Sequence, residues 1–187
     1  MRVLVALLFF AGAPFWETKP PEKWTDHELE IVMTSSPWVQ GTGTSPEVQV
    51  YFADAEPMEE AEAEMRVRSR KPLPEPDPDY LDYLREHGQD SLVLAIPYEN
   101  NAGFGNDEDQ HRMENETQMK AGNRTYQIVG YFPPTPSDPV LRLIFPRQVR
   151  ATDKSVEFRL YLPGIPFPDR EVQFWVKNLY FKGKLTL

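Results

Sequence analysis

The chain has 187 residues, of which 40% are apolar and 12% aromatic, proportions typical of one globular domain. Its formal net charge of −9 argues against a nucleic-acid partner, because nucleic-acid binding needs a basic surface. The absence of cysteine excludes disulfides, thiolate nucleophiles and thiolate metal ligands.

The first thirteen residues have the pattern of a secretory signal peptide. Met1–Arg2 is a short positive segment, Val3–Phe10 is an apolar run, and Ala11–Ala13 matches an A-x-A cleavage site. The apolar run is too short to span a bilayer, which takes about 20 residues. We therefore expect an exported protein, periplasmic or secreted, with no membrane span in the mature chain. The alternative is that the same run forms a buried N-terminal strand.

A helix start is encoded near the front of the chain. Thr25 and Glu28 have the spacing of a capping box, in which each side chain bonds to the backbone N–H of the other residue. Trp24 and Leu29 stand at the two flanking positions that pack together across such a cap. The pattern predicts a helix over residues 26–34.

Stretches rich in glycine and proline divide the rest of the chain. Residues 41–46 are predicted as a flexible loop, and residues 71–78 as a stiff polyproline-type connector. We interpret residues 1–13 as a signal peptide, residues 14–46 as the N-terminal capped helix with linkers, and residues 47–187 as a single α+β domain.

Apolar patterns predict the first half of this domain. Residues 47–53 alternate between apolar and polar side chains, which predicts a half-buried strand. Residues 91–97 form a continuous apolar run, which predicts a central strand covered on both faces. Helices are predicted over residues 57–69 and, with Asp79 as the N-cap, up to Gly88.

The second half is predicted to hold most of the sheet. Residues 106–122 predict a weakly amphipathic helix, and residues 124–131 predict a strand. Three more strands are predicted over residues 140–145, 155–162 and 171–187, and we expect them to form an antiparallel meander. The predicted class is α+β, with a mixed or antiparallel β-sheet, a C-terminal antiparallel meander and three to four short helices.

The last predicted strand contains an irregularity. Its apolar residues change from even to odd positions along the strand: Val172, Phe174 and Val176, then Leu179, Phe181, Leu185 and Leu187. Because side chains of a strand alternate between faces, one straight strand would expose half of this set. We therefore expect a β-bulge or a sharp bend at Lys177–Asn178, with Asn178 as the extra residue.

Both ends of the chain carry patterns that resemble a known set of proteins. The front pattern is Trp24 followed by the capped helix and then Ser36-Pro37-Trp38, and the closing pattern is Phe174-x-Val176-Lys177-Asn178-Leu179-x-x-x-Gly183-Lys184-Leu185-x-Leu187. With these patterns the chain resembles a group of short secreted bacterial proteins of unassigned activity. The resemblance implies a secreted domain that ends in a sheet, and it implies no activity.

The residues suited to catalysis or metal binding do not form a recognisable motif. His27, His87 and His111 are the only histidines, and none has a second ligand at helical spacing. The acidic run contains Asp107, Glu108, Asp109, Glu114 and Glu116 without the spacing of a calcium loop. We interpret both sets as solvated surface, and we predict no catalytic residue, no metal and no cofactor.

The charges of the chain are divided unevenly, which indicates acidic helices that face solvent and partly pair with a basic sheet; the alternative is an acidic surface for cations or basic partners. Residues 140–187 hold nine Lys and Arg against four Asp and Glu, although the chain is acidic as a whole. Arg159, Tyr161, Trp175 and Lys177 are predicted on the outward face of the C-terminal sheet, as a surface for a protein or polymer partner. The sequence thus favours a non-enzymatic secreted or cell-envelope module with a binding or structural role. The alternative is a small extracytoplasmic hydrolase that uses carboxylates and one histidine.

Overall fold

The computed structural model describes residues 13–70, 73–98, 104 and 106–187. The predicted leader lies outside the described residues except for Ala13. Two residues of the predicted connector, 71 and 72, also lie outside them.

The described residues fold into helices and antiparallel strands, which confirms the predicted α+β class. These residues contain five α-helices, one more than the three to four predicted, because the single turn α1 forms near the front. The helices are α1 (Phe15–Thr18), α2 (Asp26–Ser35), α3 (Glu56–Arg68), α4 (Pro78–His87) and α5 (Asp107–Glu116). The strands are β1 (Val39–Thr42), β2 (Val48–Phe52), β3 (Ser91–Pro97), β4 (Gln118–Ala121), β5 (Arg124–Gln127), β6 (Gly130–Phe132), β7 (Val140–Pro146), β8 (Ser155–Tyr161), β9 (Asp169–Trp175), β10 (Tyr180–Phe181) and β11 (Lys184–Leu185).

The strands form two packed sheets and one small hairpin. The first sheet has the order β1-β2-β3-β7-β6, the second has the order β5-β4-β8-β9, and β10 pairs with β11. Aromatic rings from both sheets meet in the core between them, as in a β-sandwich. These rings belong to Phe52 and Phe145 of the first sheet and to Phe158 and Phe174 of the second.

The predicted central strand is confirmed as β3, which pairs with β2 on one side and β7 on the other. Leu92, Leu94 and Ile96 belong to the main core, whereas Val93 belongs to a second apolar cluster and packs there with Tyr80 of α4 and Ile144 of β7. Helix α4 therefore covers the outer face of the first sheet, and β3 is apolar on both faces for this reason.

The capping box at the start of α2 is confirmed. The Thr25 side chain accepts a hydrogen bond from the Glu28 N–H at 3.2 Å, and the Glu28 carboxylate accepts one from the Thr25 N–H at 2.8 Å. Trp24 and Leu29 are both buried in the main core. Thr25 thus fixes the entry angle of the helix that carries these two side chains inward.

The predicted three-stranded meander is wrong, because β7 lies in a different sheet from β8 and β9. Strand β7 pairs with β3 and β6, whereas β8 pairs with β4 and β9. The physical reason is that both faces of β7 are buried, so it occupies an interior position in the first sheet. Strand β9 exposes every second residue, as a strand with one solvated face does.

The region between α5 and β6 also differs from the prediction. Helix α5 ends at Glu116 instead of continuing to 122, and the next residues form β4, which buries Met119 and Ala121. The single strand predicted over 124–131 is divided between β5 in the second sheet and β6 in the first. This crossing joins the two sheets along one side of the sandwich.

Two local predictions at other elements are corrected. The N-cap of α4 is Asp77 instead of Asp79, since the Asp77 carboxylate accepts a hydrogen bond from the Asp79 N–H at 2.8 Å. Part of the predicted loop 41–46 belongs to β1, which pairs with β2. The Thr42 hydroxyl at the end of β1 donates to the carbonyl of Glu171 in β9 at 2.8 Å and so links the two sheets.

The break in the last predicted strand is confirmed as a bend, and the predicted bulge at Asn178 is wrong. Strand β9 ends at Trp175, and a 3-10 turn over Val176–Asn178 leads into the β10–β11 hairpin. Phe174 before the turn and Phe181 after it are both fully buried in the main core. The turn therefore brings the even and the odd apolar residues to the same interior.

Candidate functional site

The predicted partner surface lies on the second sheet, whose two faces have different surroundings. Side chains at even positions of β9 point into the sandwich, and those at odd positions point outward and are exposed. The register of β8 and β9 builds the outward face from cross-strand pairs: Arg159 with Glu171, Glu157 with Gln173, and Ser155 with Trp175. We call this outward side of β4, β8 and β9 the open face.

A hydrogen-bonded network occupies the middle of the open face. Gln173 Nε2 and the Ser155 hydroxyl each donate to Glu157 Oε1 at 3.0 Å, and Lys120 Nζ lies 3.5 Å from Glu157 Oε2. The hydrogen bond from Ser155, followed by that from Gln173, holds the pKa of Glu157 below its usual value. A carboxylate with a lowered pKa stays ionised near neutral pH, so Glu157 is a fixed acceptor and not a proton donor.

A shallow depression of about 520 Å³ runs across the open face. Arg159 contributes the one arginine to its wall and forms no ion pair with any carboxylate in the described part of the chain. The depression is lined by Gln118, Lys120, Thr125, Glu157, Phe158, Arg159, Glu171, Val172 and Gln173. Its wall thus offers amides, a hydroxyl and charges of both signs to a polar ligand.

Tyr161, predicted to be exposed, is covered. Only 4% of Tyr161 is accessible, because the Arg112 guanidinium of α5 lies 4.1 Å from the centroid of its ring. The Tyr161 hydroxyl donates to the Asp109 carboxylate at 2.6 Å and accepts a hydrogen bond from Arg112 at 2.9 Å. The bond to Asp109 raises the pKa of Tyr161. Tyr161 therefore anchors α5 to the second sheet and does not belong to the accessible surface.

Trp175 and Lys177 lie at the opposite end of the open face, in a second depression of about 330 Å³. Trp175 is 40% exposed, and the Nζ atom of Lys154 is 5.4 Å from the centroid of its ring. The lining consists of Ala151, Asp153, Lys154, Trp175, Lys177 and Tyr180. We call this group the Trp175 corner.

The structure does not bring the histidines together. His27 lies in α2, His87 ends α4 and His111 lies in α5, and each is exposed. None of them lines the depression of the open face or the Trp175 corner. Within the described ranges, no three His, Asp or Glu side chains are arranged to hold a metal ion. The hydrolase alternative therefore gains no support from the placement of these residues.

Sequence reasoning did not select Lys154, although it faces Trp175. Lys154 directly precedes β8, and only the pairing of Ser155 with Trp175 brings it beside the indole ring. No local pattern reveals this neighbour, because the register of two strands is a tertiary property.

An ion pair between the buried carboxylate of Asp54 and the half-buried Arg147, which are distant in sequence, was also missed. Arg147, just after β7, donates to the carboxylate of Asp54, to the carbonyl of Leu187 and, at 3.2 Å, to the carbonyl of Gly88. Asp54 is almost fully buried, and its other oxygen accepts a hydrogen bond from the Val93 N–H at 3.1 Å. This arrangement holds Leu187 against the fold.

Comparison of the chain with family models, with curated proteins and with solved structures gave no match. The resemblance to short secreted bacterial proteins therefore stays a prediction. No helix within the described residues is long and apolar enough to cross a membrane.

Proposed function

We propose that the protein is a non-enzymatic binding module of the cell envelope or the extracellular space, and that the open face is its contact surface. Export is part of this proposal and rests on the signal-peptide pattern of residues 1–13. The partner is a protein or a polymer of the envelope.

The single observation that carries the proposal is the exposure of Trp175 on the open face. Trp175 is 40% exposed, so the fold does not gain the full stabilisation that burial of its ring would give. Aromatic residues are also enriched at surfaces where a protein binds a partner. Trp175 stands in the same row of side chains as Gln173 and Glu171. A partner that covers the polar row therefore also covers the indole ring.

The contrast between the two sheets supports the same surface. Helix α4 covers the outer face of the first sheet and buries Tyr80, Val93 and Ile144 there. The centre of the open face leaves Arg159 and Gln173 accessible, and α5 packs on β8 at one end, over Tyr161. The open face is therefore a sheet surface available to a partner.

The test is position-dependent photo-crosslinking in the native envelope. A photo-reactive amino acid replaces Gln173 on the open face, and a matched variant carries it at Gln49, an exposed glutamine of β2 in the other sheet. Both proteins must melt at the parent temperature. We expect adducts from position 173 and far fewer from position 49. Equal yields at the two positions, or adducts from position 49 alone, would contradict the proposal.

A further inference from the structure

The Trp175 corner carries an excess of positive charge that the fold itself does not neutralise. Lys154 and Lys177 form no ion pair with any described carboxylate, although the whole chain has a net charge of −9. The one acidic residue of the lining, Asp153, is occupied, because its carboxylate accepts hydrogen bonds from Arg124 and from the Arg150 N–H at 2.8 Å. The two ammonium groups are thus available to an anion.

The same corner offers an apolar plane beside these charges. Trp175 is 40% exposed, and Tyr180, half-buried, lines the depression with it. A flat aromatic ring packs well against the C–H face of a sugar ring, whereas a small inorganic anion gains nothing from such a plane. The combination of an indole ring and two lysines therefore selects a ligand that has both a ring and a negative charge.

The geometry of the open face favours a polymer over a single sugar. From Trp175 to Glu171 the outward side chains of β9 extend over about 13 Å, at a rise of about 3.3 Å per residue. Gln173 and Glu171 line the larger depression along this path. The Gln173 amide and the Arg159 guanidinium, which is unpaired within the described residues, suit the hydroxyl and carboxylate groups of an acidic polysaccharide along this path.

We propose that the Trp175 corner binds an acidic polysaccharide, in which one sugar ring stacks on Trp175 in place of the Lys154 ammonium group and a carboxylate of the same polymer lies between Lys154 and Lys177. This inference rests on the proposed function and specifies its partner. The remaining sugars extend along the open face past Gln173.

Binding is measured by calorimetry with polygalacturonate as the probe, using the full mature chain. Methyl-esterified polygalacturonate keeps the rings without the charge, and poly-glutamate keeps carboxylates without the sugar rings. We expect binding to polygalacturonate that weakens as salt is added, and at least tenfold weaker binding to the other two polymers. No binding to polygalacturonate, or equal binding to poly-glutamate, would overturn the inference.

Variants locate the site. Trp175→Ala and the double variant Lys154→Ala/Lys177→Ala should each weaken polygalacturonate binding at least tenfold. Lys23→Ala/Lys184→Ala is the matched control, because it removes two exposed lysines elsewhere and changes the net charge equally. Trp175→Phe keeps an aromatic ring and should retain part of the affinity, which separates stacking from a folding defect. An equal loss in the control would place the binding outside the corner.

The two proposals can fail separately. Crosslinking at position 173 without any binding to polygalacturonate would leave the contact surface in place and remove the acidic polysaccharide as its partner. Binding to polygalacturonate that requires Trp175, together with equal crosslinking at positions 173 and 49, would leave the sugar site and remove the open face as the envelope contact.

Discussion

The ring centroids of Phe52 in β2 and Phe174 in β9 lie 4.4 Å apart, and this contact joins the first sheet to the second at the centre of the core. Both side chains are fully buried. Phe158 of β8 packs edge-on against each of them, at 5.9 Å and 6.0 Å between centroids. The open face therefore depends on this aromatic cluster, because the cluster fixes the sheet that carries it.

The first prediction concerns Phe174. Phe174→Ala should lower the free energy of unfolding by about 3–5 kcal/mol, since it removes a buried ring and leaves a cavity between the sheets. Urea unfolding of the parent and the variant measures this difference. Val129→Ala, at a side chain that is 65% exposed, should change it little. A loss below about 1 kcal/mol for Phe174→Ala would mean that the two sheets are not held together at this point.

The second prediction concerns the start of α2. Thr25→Ala should cost about 1 kcal/mol, because the Glu28 N–H loses its acceptor. Thr34→Ala in the same helix is the matched control, since the exposed Thr34 hydroxyl donates to a carbonyl that is already part of the helix and otherwise contacts the exposed Ser35 hydroxyl. Urea unfolding should show a larger decrease in the free energy of unfolding for Thr25→Ala than for Thr34→Ala. Coincident curves for Thr25→Ala and the parent would show that the cap does not contribute.

The third prediction concerns pH. Burial raises the pKa of Asp54 from 3.8 to about 6, against the opposing effect of Arg147. Between these two values the folded protein binds a proton that the unfolded chain does not bind, so this group makes the free energy of unfolding fall as pH rises.

Asp54→Asn should therefore reduce the decrease of the free energy of unfolding with rising pH, because asparagine does not titrate. Urea unfolding at pH 4, 5 and 6 measures the slope in the parent and in the variant, both in a Glu59→Gln background, because the charge of Asp54 also raises the pKa of Glu59. If the free energies of unfolding of parent and variant differ by the same amount at all three pH values, the raised pKa of Asp54 is contradicted.

The elements that the sequence predicts well are those whose causes are local. The capping box depends on Thr25 and Glu28, which are three residues apart, and the central strand depends on the continuous run from Ser91 to Pro97. Each pattern contains its own physical reason, so the structure confirms both.

The features that the sequence does not predict depend on contacts between distant residues. Arg147 and Asp54 are 93 residues apart in the sequence. Arg112 of α5 and Tyr161, which form a hydrogen bond, are 49 residues apart. These contacts follow from the packing of elements and not from local patterns. Strand β4 was predicted as helix because it closely follows the polar helix α5 and, with four residues, is too short to show the alternation of side chains that is typical of a strand.

The fourth prediction concerns export. Residues 1 to about 13 should be absent from the protein recovered from its source, because a signal peptidase removes the leader. Mass spectrometry of the native protein measures its N-terminus directly. An intact Met1 would show that the leader is retained and would remove export from the proposed function.

The most direct test of the binding surface is ¹⁹F NMR of the protein labelled with 5-fluorotryptophan. The chain has four tryptophans, of which Trp24 and Trp38 are buried and Trp175 is exposed on the open face. The Trp175→Phe variant assigns the Trp175 signal by its loss. On addition of a soluble envelope fraction that the protein binds, we expect the Trp175 signal to shift or broaden while the signals of Trp24 and Trp38 stay in place. A Trp175 signal that is unchanged in the bound protein would contradict the open face as the contact surface.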